Sequence, residues 1–455
     1  MESAGSLDDG EEPRPLFLLR RMEKENIMSL QEERCDQSMK RKAVSLLVLL
    51  VMLLCACAGY SEAALELVPM DFGLTETDGI TIPVFSPDDP LITQQQVPEN
   101  EAMAFMRELK AGWNLGNTFD AYDNTGKVKG VAIETYWCQA KTTRELIRAI
   151  HEAGYNLIRI PVSWHNHVTG DEYTIDPAWM ERVKEVATWV VEEGMYFIVN
   201  IHHDNQKNLL YPDSAHYEQS EKYVTAIWKQ IAEAFMDFDE HCIFESMNEP
   251  RLVGTNYEWY FNATSKECKD AADCINRLNQ KIVDVIRSSG GNNASRYICV
   301  PGYCGSPDAA TNALFKIPED PADNKIIIEV HAYRPYDFAL NVNSNDSRFD
   351  LEKDKRKRSD IDSFMNSLYR KYVKQGIPVI IDEFASLDKN NLQDRVNFTA
   401  YYVASASARG MTCCLWDNHA FTGNGELLGV INRNRLEWVF PDIALAMTRN
   451  SLCGR

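Results

Sequence analysis

Two glutamates of this 455-residue chain each follow an apolar run and stand in a short polar cluster. Glu249 lies in the segment Met247–Pro250 (MNEP), and Glu383 lies in Ile381–Phe384 (IDEF). Two carboxylates that face each other across a cleft can cleave a glycosidic bond, because one protonates the leaving group while the other attacks or activates water. The pair therefore predicts this chemistry if the fold brings the two residues together.

Short apolar runs alternate with amphipathic stretches from about residue 101 onward. The predicted strands are Gly112–Leu115, Asn156–Ile160, Tyr196–Ile201, Cys242–Ser246, Tyr297–Val300, Lys325–Val330, Pro378–Ile381 and Thr412–Trp416. The predicted helices are Thr143–Ala153, Pro177–Glu193, Glu221–Phe235, Asn276–Ser288, Asp360–Gln375 and Leu392–Ala408. Residues typical of helix ends support several of these predictions. For example, Asp176 can cap the start of the helix that begins at Pro177, and Gly194 stands where that helix should end.

Eight strands that alternate with helices predict an α/β fold, the (β/α)₈ TIM barrel, as a single domain over residues 101–450. The alternative is an open doubly wound sheet, which places a glycine-rich phosphate turn after its first strand. The corresponding turn here, Gly116–Asp120, lacks that glycine pattern. The barrel is therefore favoured.

Nearly every predicted strand leads into a polar or aromatic cluster at its carboxyl end. These clusters are Asn114–Asn117, Arg159–Trp164, His202–Asp204, Asn248–Pro250, His331–Tyr333, Asp382–Glu383 and Trp416–Asn418. In a TIM barrel these ends converge on one face, where active sites lie. Their matching positions predict a site on that face.

The order and spacing of these clusters resemble glycoside hydrolase family 5, the large cellulase family. The resemblance covers about residues 101–450 and is closest in style to the subfamily that holds many bacterial endoglucanases, lichenases and xyloglucanases. No single segment is specific for this family, but the order and spacing of the whole set are. The segments are Gly112–Thr118, Ile158–Trp164, Asn200–Asp204, Met247–Pro250, Val330–Tyr333, Ile381–Phe384 and Leu415–Asn418.

The resemblance implies a role for each side chain of the site. Glu249 would be the acid/base and Glu383 the nucleophile of a retaining enzyme. Arg159 and Tyr333 would bond the nucleophile, and Asn248 would hold the 2-hydroxyl of the sugar. The other implied substrate-binding residues are His202 and His331 in the same subsite, Trp416 as its stacking floor, and Asn114, Asn117, Asp120 and Trp164 in neighbouring subsites.

The chain departs from the family pattern in two places. Asp382 stands where a glycine often precedes the nucleophile, and we expect its side chain to point outward into solvent. Leu415 and His419 replace a tryptophan and a glycine near the stacking residue, which leaves fine substrate preference open.

Other residues near these motifs have simpler interpretations. Because successive strand residues face opposite ways, we expect His202 in the site and His203 packed away from it. Trp137, Trp179, Trp189 and Trp228 are expected to pack in the core or against helices. Trp259 and Tyr260, in the loop after the fourth strand, are candidates for a rim platform. The basic run Lys353–Arg358 is expected to be a solvated loop.

Charge and cysteine usage limit the partners. A formal net charge of -20 and a pI near 5.0 disfavour nucleic acid and anionic membranes and suit a neutral ligand. No Cys/His spacing is typical of a zinc site, so we expect no metal and no cofactor. Cys268 with Cys274, and then Cys299 with Cys304, are the best candidate disulfides, although buried free thiols are the alternative. We expect a monomer.

The amino-terminal region predicts export. Residues 1–38 are interpreted as an upstream extension, and residues 39–63 combine a basic cluster with a short apolar run and small residues, as secretory signals do. The segment around Cys57 also resembles a lipobox, so a lipid on Cys57 and free secretion remain alternatives. Residues 64–100 are rich in proline and are interpreted as a linker or an extended lead-in.

Taken together, these features predict a secreted or surface-anchored retaining endo-β-1,4-glucanase that acts on cellulose-type or mixed-linkage β-glucan. A β-mannanase or a xyloglucanase of the same fold is the alternative enzyme. An inactive polysaccharide-binding protein is the alternative of a different class.

Overall fold

The computed structural model describes residues 74–454. The predicted upstream extension, the signal segment and the candidate lipid site at Cys57 lie outside these residues. Across the described part of the chain, none of the helices has the length and apolar character that crossing a membrane requires.

Eight parallel strands close into one barrel. Strands that follow one another in the chain are neighbours in the ring, and the first strand pairs with the last. The strands are β1 (Ala111–Leu115), β2 (Leu157–Ile160), β3 (Tyr196–Asn200), β4 (Cys242–Glu245), β5 (Ile298–Pro301), β6 (Ile326–His331), β7 (Val379–Phe384) and β8 (Thr412–Asp417). This confirms the predicted (β/α)₈ barrel, and each strand overlaps its predicted run.

Ten α-helices are described in residues 74–454, and the longer ones pack around the barrel. They are α1 (Glu101–Glu108), α2 (Arg144–Glu152), α3 (Pro177–Glu192), α4 (Tyr217–Ala234), α5 (Lys266–Ser288), α6 (Pro307–Thr311), α7 (Tyr336–Ala339), α8 (Lys355–Lys371), α9 (Leu392–Ser407) and α10 (Pro441–Asn450). Two short hairpins complete the fold, Val168–Thr169 with Thr174–Ile175 and Ile431–Asn432 with Glu437–Trp438.

Helix α5 begins at Lys266 rather than at the predicted Asn276. The Ser265 side chain caps it by accepting a hydrogen bond from the Cys268 backbone, which places Cys268 and Cys274 within one helix instead of at the ends of a loop. The candidate disulfides are wrong, because all nine cysteines of the described residues are free. Helix α8 likewise begins at Lys355, so most of the basic run forms its first turn rather than a loop.

Residues 74–100 lie against the barrel as an extended segment. The Thr77 amide donates to Asp442 Oδ1 at 2.9 Å and the Phe85 amide donates to Asn450 Oδ1 at 3.0 Å, both on α10. The side chain of Phe85 is buried. Of the two alternatives for this stretch, the described part therefore has the geometry of a docked lead-in rather than a free linker.

The barrel interior is unusually polar at its carboxyl end. Every residue of β2, β4, β6 and β7 is buried. These strands nonetheless carry charged side chains inside the barrel, namely Arg159, Glu245, Glu329, Asp382 and Glu383. Because buried charges are costly unless they are paired, this layer must form a compensating network.

Candidate active site

Arg159 on β2 is the centre of that network. Its Nε and Nη2 donate to the two oxygens of Glu245 at 2.6 and 2.7 Å. Its Nη1 donates to Glu383 Oε1 at 2.6 Å and to Asn114 Oδ1 at 3.0 Å. Nη2 also donates to Asn248 Oδ1 at 2.7 Å. The planar guanidinium thus connects four strands and fixes the side chains around it.

Both oxygens of Glu383 have a donor. Arg159 holds Oε1, and the Tyr333 hydroxyl donates to Oε2 at 2.9 Å. Burial, together with the Glu383 carboxylate, raises the pKa of Tyr333 well above its usual value, so the phenol keeps its proton and remains a donor. These two donors fix the orientation of the Glu383 carboxyl group.

Glu249 lies beside His331, whose Nδ1 is 2.8 Å from Glu249 Oε1. Burial favours the neutral acid, but the hydrogen bond and charge of His331, with Arg251 nearby, outweigh it and lower the Glu249 pKa to about 2. Burial also disfavours a charged His331, yet Glu383 and Glu249 raise the His331 pKa to about 9. In the free site the proton of this pair therefore lies on His331.

The two glutamates face each other across a small gap. A carboxylate oxygen of Glu249, one of Glu383 and a ring nitrogen of His331 lie within 4.8 Å of one another. Retaining glycosidases place their two carboxyl groups roughly 5–5.5 Å apart, whereas inverting enzymes need about 6.5–9.5 Å to admit a water molecule. Nearest oxygens within 4.8 Å are closer than the inverting spacing and are compatible with the retaining one.

A β-bulge in β7 determines how Glu383 and Asp382 are oriented. Ile381 pairs with Val330, and Glu383 pairs with the next residue of β6, His331, so Asp382 is an extra residue in β7. A bulge re-aims side chains that strict alternation would send to opposite faces. The expectation that Asp382 points into solvent is wrong: its side chain is fully buried, and Oδ2 lies 3.6 Å from Arg159 Nε.

His202 and Trp416 form a flat wall of the site. Their rings are stacked at 5.8 Å with an interplanar angle of 6°. Asn200 fixes the His202 tautomer, because its Oδ1 accepts from the Val162 amide and its Nδ2 donates to His202 Nδ1 at 3.1 Å. Burial lowers the pKa of His202 well below its usual value, so the ring is neutral with its proton on Nε2.

Gly116 makes room for the Trp416 ring. A Cβ at Gly116 would lie 2.8 Å from Trp416 Cζ2 and 2.8 Å from the Asp417 carbonyl oxygen. We expect Gly116→Ala to cost about 1–3 kcal/mol of folding free energy and to lower kcat/KM by displacing Trp416. Gly425→Ala is the control, because its Cβ would meet nothing within 4 Å. Denaturant unfolding and kinetics check this, and equal effects of the two variants would contradict it.

His203 is not packed away from the site as expected. Strand β3 ends at Asn200, so the alternation of a strand no longer governs His202 and His203. Their rings meet edge to face at 4.3 Å, and His203 also contacts the rings of Tyr122 and Trp137. Trp137, which we expected in the core or against a helix, is therefore part of a half-buried aromatic cluster beside the site.

The four residues predicted for neighbouring subsites differ in how exposed they are. Asn114 and Trp164 are fully buried, and the Trp164 indole donates to the Asn200 carbonyl at 2.8 Å behind the wall. The Asn114 amide nitrogen donates to the Asp382 carbonyl at 2.8 Å and its oxygen accepts from Arg159, so both residues make structural contacts, and their predicted roles in neighbouring subsites stay predictions. Asn117 is partly exposed in the turn after β1 and remains a prediction. Asp120 is buried beneath this turn and accepts from the Asn117 and Thr118 amides.

Sequence reasoning missed Glu245 and Glu329, which lie in β4 and β6. The signal was available, since each is an acid inside an otherwise apolar strand run. Arg251 was also missed, and its Nη1 lies 3.5 Å from Glu249 Oε2. Among the described residues, two groups of acids and histidines close enough to share a cation belong to this network, and a third consists of Asp120, His202 and His203. The expectation of no metal stays a prediction.

Comparison with known proteins agrees with this geometry. The family described as "Cellulase (glycosyl hydrolase family 5)" matches residues 119–422. The chain belongs to this family. The matched range runs from the turn after β1 past the end of β8 and includes Arg159, Glu249 and Glu383, so the family assignment covers the site itself.

Individual relatives are similar over most of the chain. Endoglucanase 1 of Ruminococcus albus is 38% identical over 353 residues, which are 77% of this chain and 82% of that protein. Cellulase/esterase CelE of Acetivibrio thermocellus is 36% identical over 414 residues, which are 90% of this chain but 47% of that protein. The chain thus spans about half the length of CelE.

A solved structure from the same family has a closely similar fold. It is a mutant of the glycoside hydrolase 5 lichenase from Caldicellulosiruptor sp. F32 in complex with cellotetraose, with 48% identity and a TM-score of 0.79. The match covers 82% of this chain and 100% of that one.

Proposed function

We propose that this chain is an endo-acting β-1,4-glucanase that hydrolyses cellulose-type or mixed-linkage β-glucan by double displacement. The observation that carries the proposal is the approach of Glu249 and Glu383, whose nearest oxygens lie within 4.8 Å beside His331. The names of the relatives support the substrate class, since they are an endoglucanase, a cellulase/esterase and a lichenase.

Glu383 is the proposed nucleophile. Its two donors, Arg159 and Tyr333, each bind one carboxyl oxygen and limit its rotation before the sugar arrives. Attack on the anomeric carbon forms a glycosyl ester and consumes the carboxylate charge. Water then hydrolyses the ester, and the charge returns to a site already organised to receive it.

Glu249 is the proposed acid and then base. It must be protonated when the glycosidic bond breaks, and His331 Nδ1 lies 2.8 Å away with the proton of the pair. We infer that this proton passes to Glu249 as the sugar excludes water and as Glu383 loses its charge. In the second step Glu249 is ionised again and takes a proton from the attacking water.

The substrate is held by groups whose other contacts are already satisfied. Asn248 Oδ1 accepts from Arg159, which turns the Asn248 amide nitrogen outward as a donor for the proposed 2-hydroxyl contact. His202 and Trp416 offer a flat surface that suits the face of a glucose ring.

The test compares polysaccharides. We expect the purified domain to release reducing ends from barley β-glucan and carboxymethylcellulose, with a rapid early fall in viscosity that endo-cleavage produces. The first product should retain the β-anomeric configuration by NMR. Faster action on mannan or xyloglucan would favour the alternative enzymes, α-anomeric product would contradict double displacement, and binding without hydrolysis would favour an inactive binding protein.

We also propose that the protein is secreted or surface-anchored, on the strength of the basic and apolar run over residues 39–63. Amino-terminal sequencing of the mature protein tests this. A free amine at Gly59 or Ala64 indicates free secretion, and a lipid-modified Cys57 indicates an anchor.

Trp259 offers a platform outside the central subsite. Its side chain is 65% exposed, and its ring stacks on the Arg251 guanidinium at 4.0 Å, close to Glu249. We expect Trp259→Ala to raise KM for β-glucan about three- to ten-fold, the effect of losing one stacked sugar, with little change for a short aryl glycoside. Leu452→Ala is an exposed control beyond α10. Equal KM values for Trp259→Ala and wild type on β-glucan would contradict the platform.

A further inference from the structure

Two buried acids beneath the proposed nucleophile are unaccounted for by the mechanism above. Asp382 on β7 and Glu329 on β6 are both fully buried. By contrast, their neighbour Glu245 is satisfied, because its two oxygens accept from Arg159 and Asn200. Buried acids normally have partners of this kind, so the other two require an explanation.

Neither side chain has an ordinary donor. Asp382 Oδ2 is 3.6 Å from Arg159 Nε and Oδ1 is 3.5 Å from His331 Nε2, which are long for hydrogen bonds. Within the described residues, no donor reaches any of the four oxygens of Asp382 and Glu329. Glu329 and Asp382 come from neighbouring, paired strands, β6 and β7, and each carboxyl group lies in the electrostatic field of the other.

One proton resolves this arrangement. Two carboxylates in contact in a dry interior cannot both be ionised, whereas a carboxyl group that donates to a carboxylate satisfies both. The charges around the pair lead to the same result. Arg159 already faces Glu245 and Glu383, and the charge of His331 is already shared with Glu249, so two further negative charges would lack a cation of their own.

We propose that Asp382 and Glu329 share a single proton and act together as a positioning pair for Arg159. The inference rests on the proposed function in one respect, that Glu383 is the nucleophile which Arg159 aims. The bulged backbone brings Asp382 to the Nε edge of the guanidinium. There Asp382 lies 3.6 Å from Arg159 Nε, whereas Glu245 lies 2.6 Å from the same atom. Glu329 holds Asp382 there through the shared hydrogen bond.

The electrostatic surroundings support this inference. Burial and the nearby Glu245 and Asp382 carboxylates raise the pKa of Glu329 well above its usual value. Burial raises the pKa of Asp382 to about 7 despite the opposing charge of Arg159. The titratable groups that face the pair from the packed strands are Arg159, Glu245, Cys299, His331, Glu383 and Cys414.

Infrared difference spectroscopy tests the shared proton without relying on activity. At about pH 7, ordinary acids are ionised. We therefore expect wild type minus Glu329→Gln to show the carbonyl stretch of one protonated carboxyl group, shifted in D₂O. The double variant Glu329→Gln/Asp382→Asn should lose no further band. Asp442→Asn, which alters a buried acid on α10, is the matched control and should keep the band. Three results would overturn the shared proton. They are a difference spectrum without the carbonyl band, loss of a further carboxyl band in the double variant, and loss of the band in Asp442→Asn.

Kinetics tests the positioning role. Glu329→Leu removes the donor to Asp382, and we expect kcat to fall about 10- to 100-fold with little change in KM, as a small displacement of Arg159 and Glu383 would cause. Glu329→Gln keeps a donor and should restore most of the lost kcat. Equal losses in the two variants, or none in Glu329→Leu, overturn the role. If Glu383 itself proves dispensable, the proposed function fails while the infrared result stands.

Discussion

Glu383→Gln is expected to lower kcat on β-glucan by at least about 10⁴-fold, because it removes the charge that attacks the anomeric carbon. The amide has nearly the shape of the acid, so its oxygen can still accept from Arg159 or Tyr333. The fold and the binding of oligosaccharide should therefore persist. A small KM change with a large kcat loss is the expected signature, measured by steady-state kinetics and by calorimetric binding of cellotetraose.

The control for this variant is a glutamate outside the network. Glu437→Gln alters an exposed side chain on the second short hairpin, whose neighbour is Arg435 at 3.6 Å, and it should keep wild-type kinetics. Should Glu383→Gln retain more than about 1% of wild-type kcat after removal of any contaminating wild-type enzyme, Glu383 is not the nucleophile. The assignment of Arg159 and Tyr333 as its supporting donors would then fail with it.

The barrel could be predicted because its strands share one sequence pattern that recurs along the chain. A parallel strand buried on both faces is a short apolar run, and a helix between two such runs leaves few topologies. β3 begins at the predicted Tyr196, and β8 begins at the predicted Thr412. The ends of the strands carried the polar clusters, so the face that holds Glu249 and Glu383 could also be predicted.

The details that sequence did not predict depend on local backbone geometry. Strict alternation would send Asp382 and Glu383 to opposite faces, and only the bulge in β7 brings both inside. His203 was misplaced for the related reason that β3 had already ended. Trp164 was expected in a neighbouring subsite because its motif lies near the substrate in the resembling family. Its indole instead points inward, where it is fully buried and donates to the Asn200 carbonyl.

Glu249→Gln should separate the two chemical steps by their leaving groups. On β-glucan the departing oxygen is a poor leaving group and needs a proton, so we expect kcat/KM to fall about 10²–10⁴-fold. On an aryl cellobioside with an acidic phenol the departure needs no proton, so formation of the glycosyl ester should remain fast. Its hydrolysis should become slow because Glu249 also activates water. A burst of phenol followed by slow turnover is therefore the expected time course.

An added anion provides the discriminating measurement. In a Glu249→Ala variant, azide can enter the space left by the carboxyl group and attack the ester without a general base. Azide should then raise turnover of the aryl substrate and give a glycosyl azide of β configuration. The matched variant Glu258→Gln alters a nearby acid that contacts Arg251 at 3.7 Å but lies outside the proposed reaction, and it should show neither burst nor azide dependence. An α-glycosyl azide from Glu249→Ala would mean direct displacement on the opposite face of the sugar. It would contradict both the ester and the assignment of Glu383. A β-glycosyl azide forms from the β-linked substrate only when azide attacks a covalent intermediate that is bonded to the enzyme on the α face of the sugar.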